Sequence, residues 1–147
     1  VLFEPKIPPN TGNIVRLCVN TGSKLHLIKP LGFKLDDKSC KRAGLDHFEI
    51  EKISLWNSFA EYKENIISKK LWAVTKFGNL PYNKANICSE DTLLFGSEIN
   101  GLPSNILNTF DNDKKIFIPM NIESRSLNLS NAVAIVLYHA WSISNFS

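Results

Sequence analysis

Short apolar runs, each followed by a stretch with helical spacing, are what most limits how this chain can fold. Runs rich in β-branched and aromatic residues lie at 1–3, 25–28, 71–74, 92–95 and 116–118, with a weaker alternating run at 48–53. Helical character marks residues 11–20, 37–43, 54–68, 103–108 and 129–143. Strands alternating with helices predict an α/β fold, with a mainly parallel sheet sandwiched by helices. The 147 residues, 44% of them hydrophobic, suffice for one compact domain spanning 1–147, and no repeat or linker interrupts it.

Two of the helical segments carry more information than the rest. Ser54 stands where it can cap a helix along which Leu55, Phe59, Tyr62 and Ile66 recur at three- or four-residue spacing. That pattern predicts an ordinary outer helix. The last helix differs, because Leu129, Ala132, Val133, Ala134, Ile135, Val136, Leu137, Ala140 and Trp141 make it apolar on nearly every side. A helix with only one face on a sheet does not need this, so a second subunit is expected on another face, giving a homodimer.

Charge narrows the partner only a little. Lys plus Arg number 17 against 14 Asp plus Glu, and the net charge of +3 mildly favours a polyanion. Cys18, Cys40 and Cys88 are odd in number and widely spaced, without a zinc-type pairing. They are expected to be reduced thiols in a cytoplasmic protein that binds no metal. No run of about 18 apolar residues is present, so no membrane span is expected. Val1 already stands inside a strand-like run, so native residues are expected to precede it.

Three turns bearing glycine and asparagine follow apolar runs: 8–13, 96–103 and 119–128. Parallel α/β sheets place their ligands at the carboxyl ends of strands, and turns there mark a site more strongly together than singly. The sequence has neither a G-x-x-x-x-G-K-[ST] phosphate loop nor a G-x-G-x-x-G dinucleotide fingerprint.

The same turns carry a resemblance. Asn10-Thr11-Gly12-Asn13-Ile14-Val15-Arg16 resembles the first motif of the SPOUT methyltransferase superfamily. Leu94-Phe95-Gly96-Ser97-Glu98-Ile99-Asn100-Gly101-Leu102-Pro103 resembles the second. Ile118-Pro119-Met120, continuing to Ser124-Arg125-Ser126-Leu127-Asn128-Leu129-Ser130-Asn131-Ala132, is similar to the third. Residues 4–13 and Lys41-Arg42-Ala43-Gly44-Leu45-Asp46 further resemble the minimal tRNA (cytidine/uridine) 2′-O-methyltransferases that act at the wobble nucleotide. Departures from the pattern are small and centre on Thr75-Lys76-Phe77-Gly78.

The resemblance implies a C-terminal trefoil knot, a homodimer and S-adenosyl-L-methionine as methyl donor, leaving S-adenosyl-L-homocysteine as product. The implied substrate is tRNA, with leucine tRNAs the expected isoacceptors. It assigns cofactor binding to Val74, Gly96, Ile118 and Ser126, with Thr75, Glu98, Met120, Leu127 and Asn131 as neighbours. It marks Arg16 as catalytically important, with Asn10, Ser126 and Asn128 orienting the ribose. Methyl transfer to a ribose hydroxyl is an in-line displacement, so positioning dominates. An arginine keeps its proton at physiological pH, so Arg16 is expected to hold a phosphate or a developing oxyanion rather than act as the base, the alternative being an exposed arginine on an amphipathic helix.

Simpler readings stand beside these. Glu98 is either a carboxylate near the cofactor's positive charge or a helix-cap acid before Pro103. Asn128 is an N-cap for the last helix, a ribose ligand, or both. Arg125 contacts either phosphate or a second subunit. Lys38, Lys41 and Arg42 form either a solvated face or a contact for the RNA backbone. His26, His47 and His139 have no nucleophile or base at recognisable spacing and are expected to be structural. The competing functions are a related enzyme acting at another tRNA or rRNA position, and an idle RNA-binding module on the same fold.

Overall fold

A computed structural model of the chain describes residues 1–42 and 44–147. Among the described residues seven strands, all paired in parallel, make one sheet: β1 (Leu2–Phe3), β2 (Leu25–Ile28), β3 (Ile53–Trp56), β4 (Leu71–Val74), β5 (Leu80–Pro81), β6 (Thr92–Phe95) and β7 (Lys115–Phe117). They lie in the order β3-β2-β1-β6-β4-β7-β5. The helices are α1 (Pro8–Thr21), α2 (Asp37–Arg42), α3 (His47–Ile50), α4 (Phe59–Asn65), α5 (Ser104–Leu107) and α6 (Leu129–Ile143).

Successive side chains of a strand point to opposite faces, and the core divides accordingly. Leu27, Trp72 and Phe95 join Ile14, Val15, Val133 and Val136 of α1 and α6 in one layer. Their neighbours Ile28, Ala73 and Leu94 join Phe59 and Tyr62 of α4, with Leu102 and Phe110, in the other. The expected α/β sandwich is therefore present, with helices on both faces of the sheet.

Three local expectations are corrected. The run at 48–53 is not a strand: α3 occupies His47–Ile50 and β3 begins at Ile53. The reason is a reciprocal cap, in which the Asp46 amide donates to Glu49 Oε2 (2.9 Å) and the Glu49 amide to Asp46 Oδ1 (2.8 Å). Ser54 caps nothing, because it lies in β3 opposite His26. The outer helix starts at Phe59 and is capped by Ser58, whose Oγ accepts from the Glu61 amide at 3.1 Å. The turn expected at 8–13 is the opening of α1. Pro8 and Pro9 fit there because the first helical residues need no amide donor. Ala43 and the side chain of His47 lie outside the described residues.

The joint between β4 and β5 shapes the site. β7 lies between these strands, so residues 75–79 must straddle it. The Thr75 amide donates to the Ile116 carbonyl and the Asn79 amide to that of Lys115, both at 2.9 Å. Gly78 sits where the chain crosses β7, and a Cβ there would come within 2.5 Å of the Ile116 carbonyl carbon. Because the obstruction is backbone, Gly78→Ala is expected to lower stability by about 1–3 kcal/mol, read as a fall in the urea midpoint without a change in slope.

His26 is buried at the β2–β3 pair, where its Nδ1 accepts from Trp56 Nε1 at 3.0 Å and its ring meets that of Tyr62 edge-on. Burial, with Lys24 adding to it, lowers its pKa to about 4. Both folded and unfolded chains hold this imidazole neutral above pH 6.5, so nothing is lost there. As the pH falls from 6.5 towards 4 the unfolded chain takes up a proton that the folded one refuses, and stability declines. Urea unfolding at pH 7.5, 6 and 5 is expected to show this decline, and His26→Gln is expected to flatten it.

Candidate functional site

A cavity of about 530 Å³ opens where the carboxyl ends of β4, β6 and β7 meet the start of α1. This is the strand edge on which α/β sheets place ligands, and the volume suits a small-molecule cofactor. Three loops wall it: 75–77 after β4, 96–102 after β6, and residues between 118 and 129 after β7.

One chain of hydrogen bonds ties the walls together. Glu98 Oε2 accepts from the Lys6 amide at 2.7 Å, and its Oε1 from the Ile7 amide at 3.1 Å and Asn10 Nδ2 at 3.2 Å. Asn10 Oδ1 accepts from Asn128 Nδ2 at 3.0 Å. Asn128 Oδ1 in turn accepts from the Ser130 amide at 2.9 Å and the Ser130 hydroxyl at 2.7 Å. Asn10 is only 5% exposed, so its amide needs these partners. Glu98 thereby does something neither sequence expectation named: its carboxylate holds the entry to α1, where the helix dipole favours negative charge. Asn128 caps α6, one of the roles expected of it, and also lines the cavity.

The loop after β6 is rigid for a steric reason. Ser97 and Gly101 exchange backbone hydrogen bonds at 3.0 and 3.3 Å, and Ser97 Oγ accepts from the Asn100 amide at 3.2 Å. This folds Gly101 back on Gly96, so that a Cβ at Gly96 would lie 2.1 Å from the Gly101 carbonyl carbon. The demand for glycine at 96 thus comes from the protein's own backbone.

Of the residues expected to hold a cofactor, Val74, Thr75, Gly96, Glu98, Ile118, Met120, Ser126 and Leu127 line the cavity, and Asn131 does not. Its place on α6 is taken by Ala132. Among the expected catalytic residues, Asn10, Ser126 and Asn128 line the cavity and Arg16 does not. Arg16 lies exposed on α1, and its Nη2 donates to the Gly44 carbonyl just beyond α2. That contact places it next to α2, whose Lys38, Lys41 and Arg42 are all exposed. Arg125 is exposed and outside the cavity lining. Ile7, Lys76 and Phe77, to which the sequence attached no role, also line the cavity. Ile7 had a signal, since it directly precedes the two prolines that open α1.

Among the described residues no helix is long and apolar enough to cross a membrane, and no group of three or more His, Cys, Asp or Glu is placed to hold a metal. Cys18 and Cys40 are buried and Cys88 is exposed, and no disulfide joins them among the described residues.

Comparison with known proteins places this geometry. The model of the SpoU rRNA Methylase family matches residues 1–138. The chain is 49% identical over 146 residues to the tRNA (cytidine(34)-2′-O)-methyltransferase of Yersinia pestis, covering 96% of this chain and 90% of that protein. It is 47% identical over 141 residues to the enzyme of the same name from Escherichia coli K12, with the same coverage. A solved structure described as giving insight into the 2-OH methylation of C/U34 on tRNA superposes with a TM-score of 0.89 at 37% identity, covering 99% of this chain and 95% of that one. The chain belongs to the SpoU rRNA methylase family.

Proposed function

We propose that the chain transfers a methyl group from S-adenosyl-L-methionine to the ribose 2′-hydroxyl of nucleotide 34, the wobble position of tRNA, in the manner named for its relatives. The observation that carries this reading is a cavity into which three separated loops converge, with Asn10 and Asn128 hydrogen-bonded across its wall. The group to be held is an adenosine with a sulfonium tail, and the residues present fit it. Backbone groups of loops 75–77 and 96–102 are set to read a base, and the half-buried Val74 and Ile118 offer an apolar floor. When bound, the cofactor supplies an activated methyl carbon.

The protein's own part is to hold and to orient. Ser126 and Asn128 line the cavity with groups that can hold a ribose hydroxyl, and the Asn10–Glu98 connection keeps the Asn128 amide aimed. Arg16, Lys41, Arg42 and Lys38 make a basic strip outside the cavity that fits the phosphate backbone of the anticodon arm. In this reading Arg16 acts through charge on a phosphate, and Arg125 belongs with the same RNA contacts.

The reading extends to architecture. Residues 1–147 form a single domain, in which the segment after β7 threads the loop 75–79 as the trefoil knot of the superfamily. Tyr138 and Ile143 stay 38% and 46% exposed on α6, and that apolar surface is what a second copy of the chain covers in a homodimer. Leucine isoacceptors are the proposed tRNAs, and the cytoplasm is the proposed compartment.

The deciding experiment incubates the protein with unmodified bulk tRNA and methyl-labelled S-adenosyl-L-methionine, then maps the 2′-O-methyl group. Label at nucleotide 34 is expected. Label elsewhere identifies a related enzyme, and cofactor binding without transfer identifies an idle module. Replacing Lys38, Lys41 and Arg42 together by alanine is expected to weaken tRNA binding and to flatten its salt dependence by about 0.7–0.9 log units per log unit of salt for each phosphate left without its cation. Binding measured between 50 and 200 mM salt checks this.

A further inference from the structure

Phe77 is 67% exposed, more than any other aromatic ring among the described residues for which exposure is known. Its loop is nevertheless braced. The Phe77 amide donates to Thr75 Oγ1 at 3.3 Å, the Gly78 amide to the Thr75 carbonyl at 3.1 Å, and Gly78 lies flat on the Ile116–Phe117 peptide. A ring held into solvent by a braced loop contributes little burial to the fold, so its presence needs another reason. It lines the same cavity as Ser126 and Asn128 and is more exposed than the half-buried Val74 and Ile118 that line it too. Among the described residues no aromatic ring stacks on it, and the Lys76 ammonium stands 5.1 Å from its centroid.

We propose that Phe77, with Lys76 beside it, is the platform on which the base of the target nucleotide stacks. This rests on the assignment of nucleotide 34 made above. A ribose presented to Ser126 and Asn128 must leave the anticodon stack, and its base then needs a new π-face. The cavity floor is the place for the cofactor's adenine, which leaves the exposed ring at the rim for a base arriving with the RNA. Lys76 puts positive charge where the adjoining phosphates arrive. A ring face reads no donor or acceptor pattern, so this platform takes cytidine and uridine alike.

The test measures binding of anticodon stem-loop RNAs, intact or abasic at nucleotide 34, by fluorescence anisotropy with S-adenosyl-L-homocysteine present. Wild-type protein is expected to bind the intact RNA roughly 5- to 150-fold more tightly than the abasic one. Phe77→Ala is expected to bind both equally, Phe77→Trp to keep the preference, and both variants to hold S-adenosyl-L-homocysteine within about twofold of wild type by calorimetry. The proposal is overturned if Phe77→Ala still prefers the intact RNA. It is also overturned if that variant loses cofactor affinity while keeping the preference, which assigns the ring to adenine, or if its mass in solution changes, which assigns the ring to a subunit contact. A wild-type protein indifferent to the missing base overturns the choice of nucleotide 34 itself.

Discussion

The carboxylate of Glu98 is the point at which three distant stretches of chain are held together. It accepts from two backbone amides before α1 and from Asn10, and Asn10 passes the connection to Asn128 at the start of α6. Each asparagine is both donor and acceptor, so removing one member leaves a partly buried neighbour unsatisfied. The arrangement also explains why the helices start where they do. Pro8 and Pro9 have no amide hydrogens to offer at the start of α1, and Glu98 satisfies the two amides just before them. Asn128 performs the equivalent task for α6 with its own side chain.

Around this connection, main chain packs directly against main chain at two points in the loops that wall the cavity. Residues 75–79 cross β7, residues 97–101 close on themselves, and glycine stands at both points where the main chain touches main chain. At those two points the walls are set by atoms that do not change rotamer. A site of that kind recognises a ligand by shape and by amide and carbonyl groups, which suits a cofactor whose adenine and ribose must be held the same way in every turnover. The exposed side chains lie elsewhere: the basic residues of α2 are outside the cavity lining, and Phe77 is the most exposed aromatic ring of known exposure among the described residues.

Much of the fold was legible because strand and helix periods differ. The apolar runs at 25–28, 71–74 and 92–95 became strands with the same limits, and α6 kept the expected bounds of 129–143. The misreadings fell where two patterns overlap. Phe48 and Ile50 alternate as a strand would, but Asp46 and Glu49 close a capping box and a helix turn forms. Leu55, Phe59 and Tyr62 read as one helical stripe, yet Leu55 belongs to β3 and stays 44% exposed. β5 has only two residues, one of them a proline, and pairs only because β7 passes beside it.

The sequence by itself determined the strand–helix alternation and the three turns at strand ends, because each depends on chemistry local to a few consecutive positions; the individual residues expected around the cavity came from the family resemblance. Only the tertiary structure decided the order of the strands, the straddling of β7 by residues 75–79, the employment of Glu98 as a clamp and the place of Arg16 beside α2 instead of in the cavity. These depend on which distant segments lie side by side. A carboxylate 91 residues from its amide partner leaves no trace in local spacing, and a guanidinium finds its carbonyl only once two helices have packed.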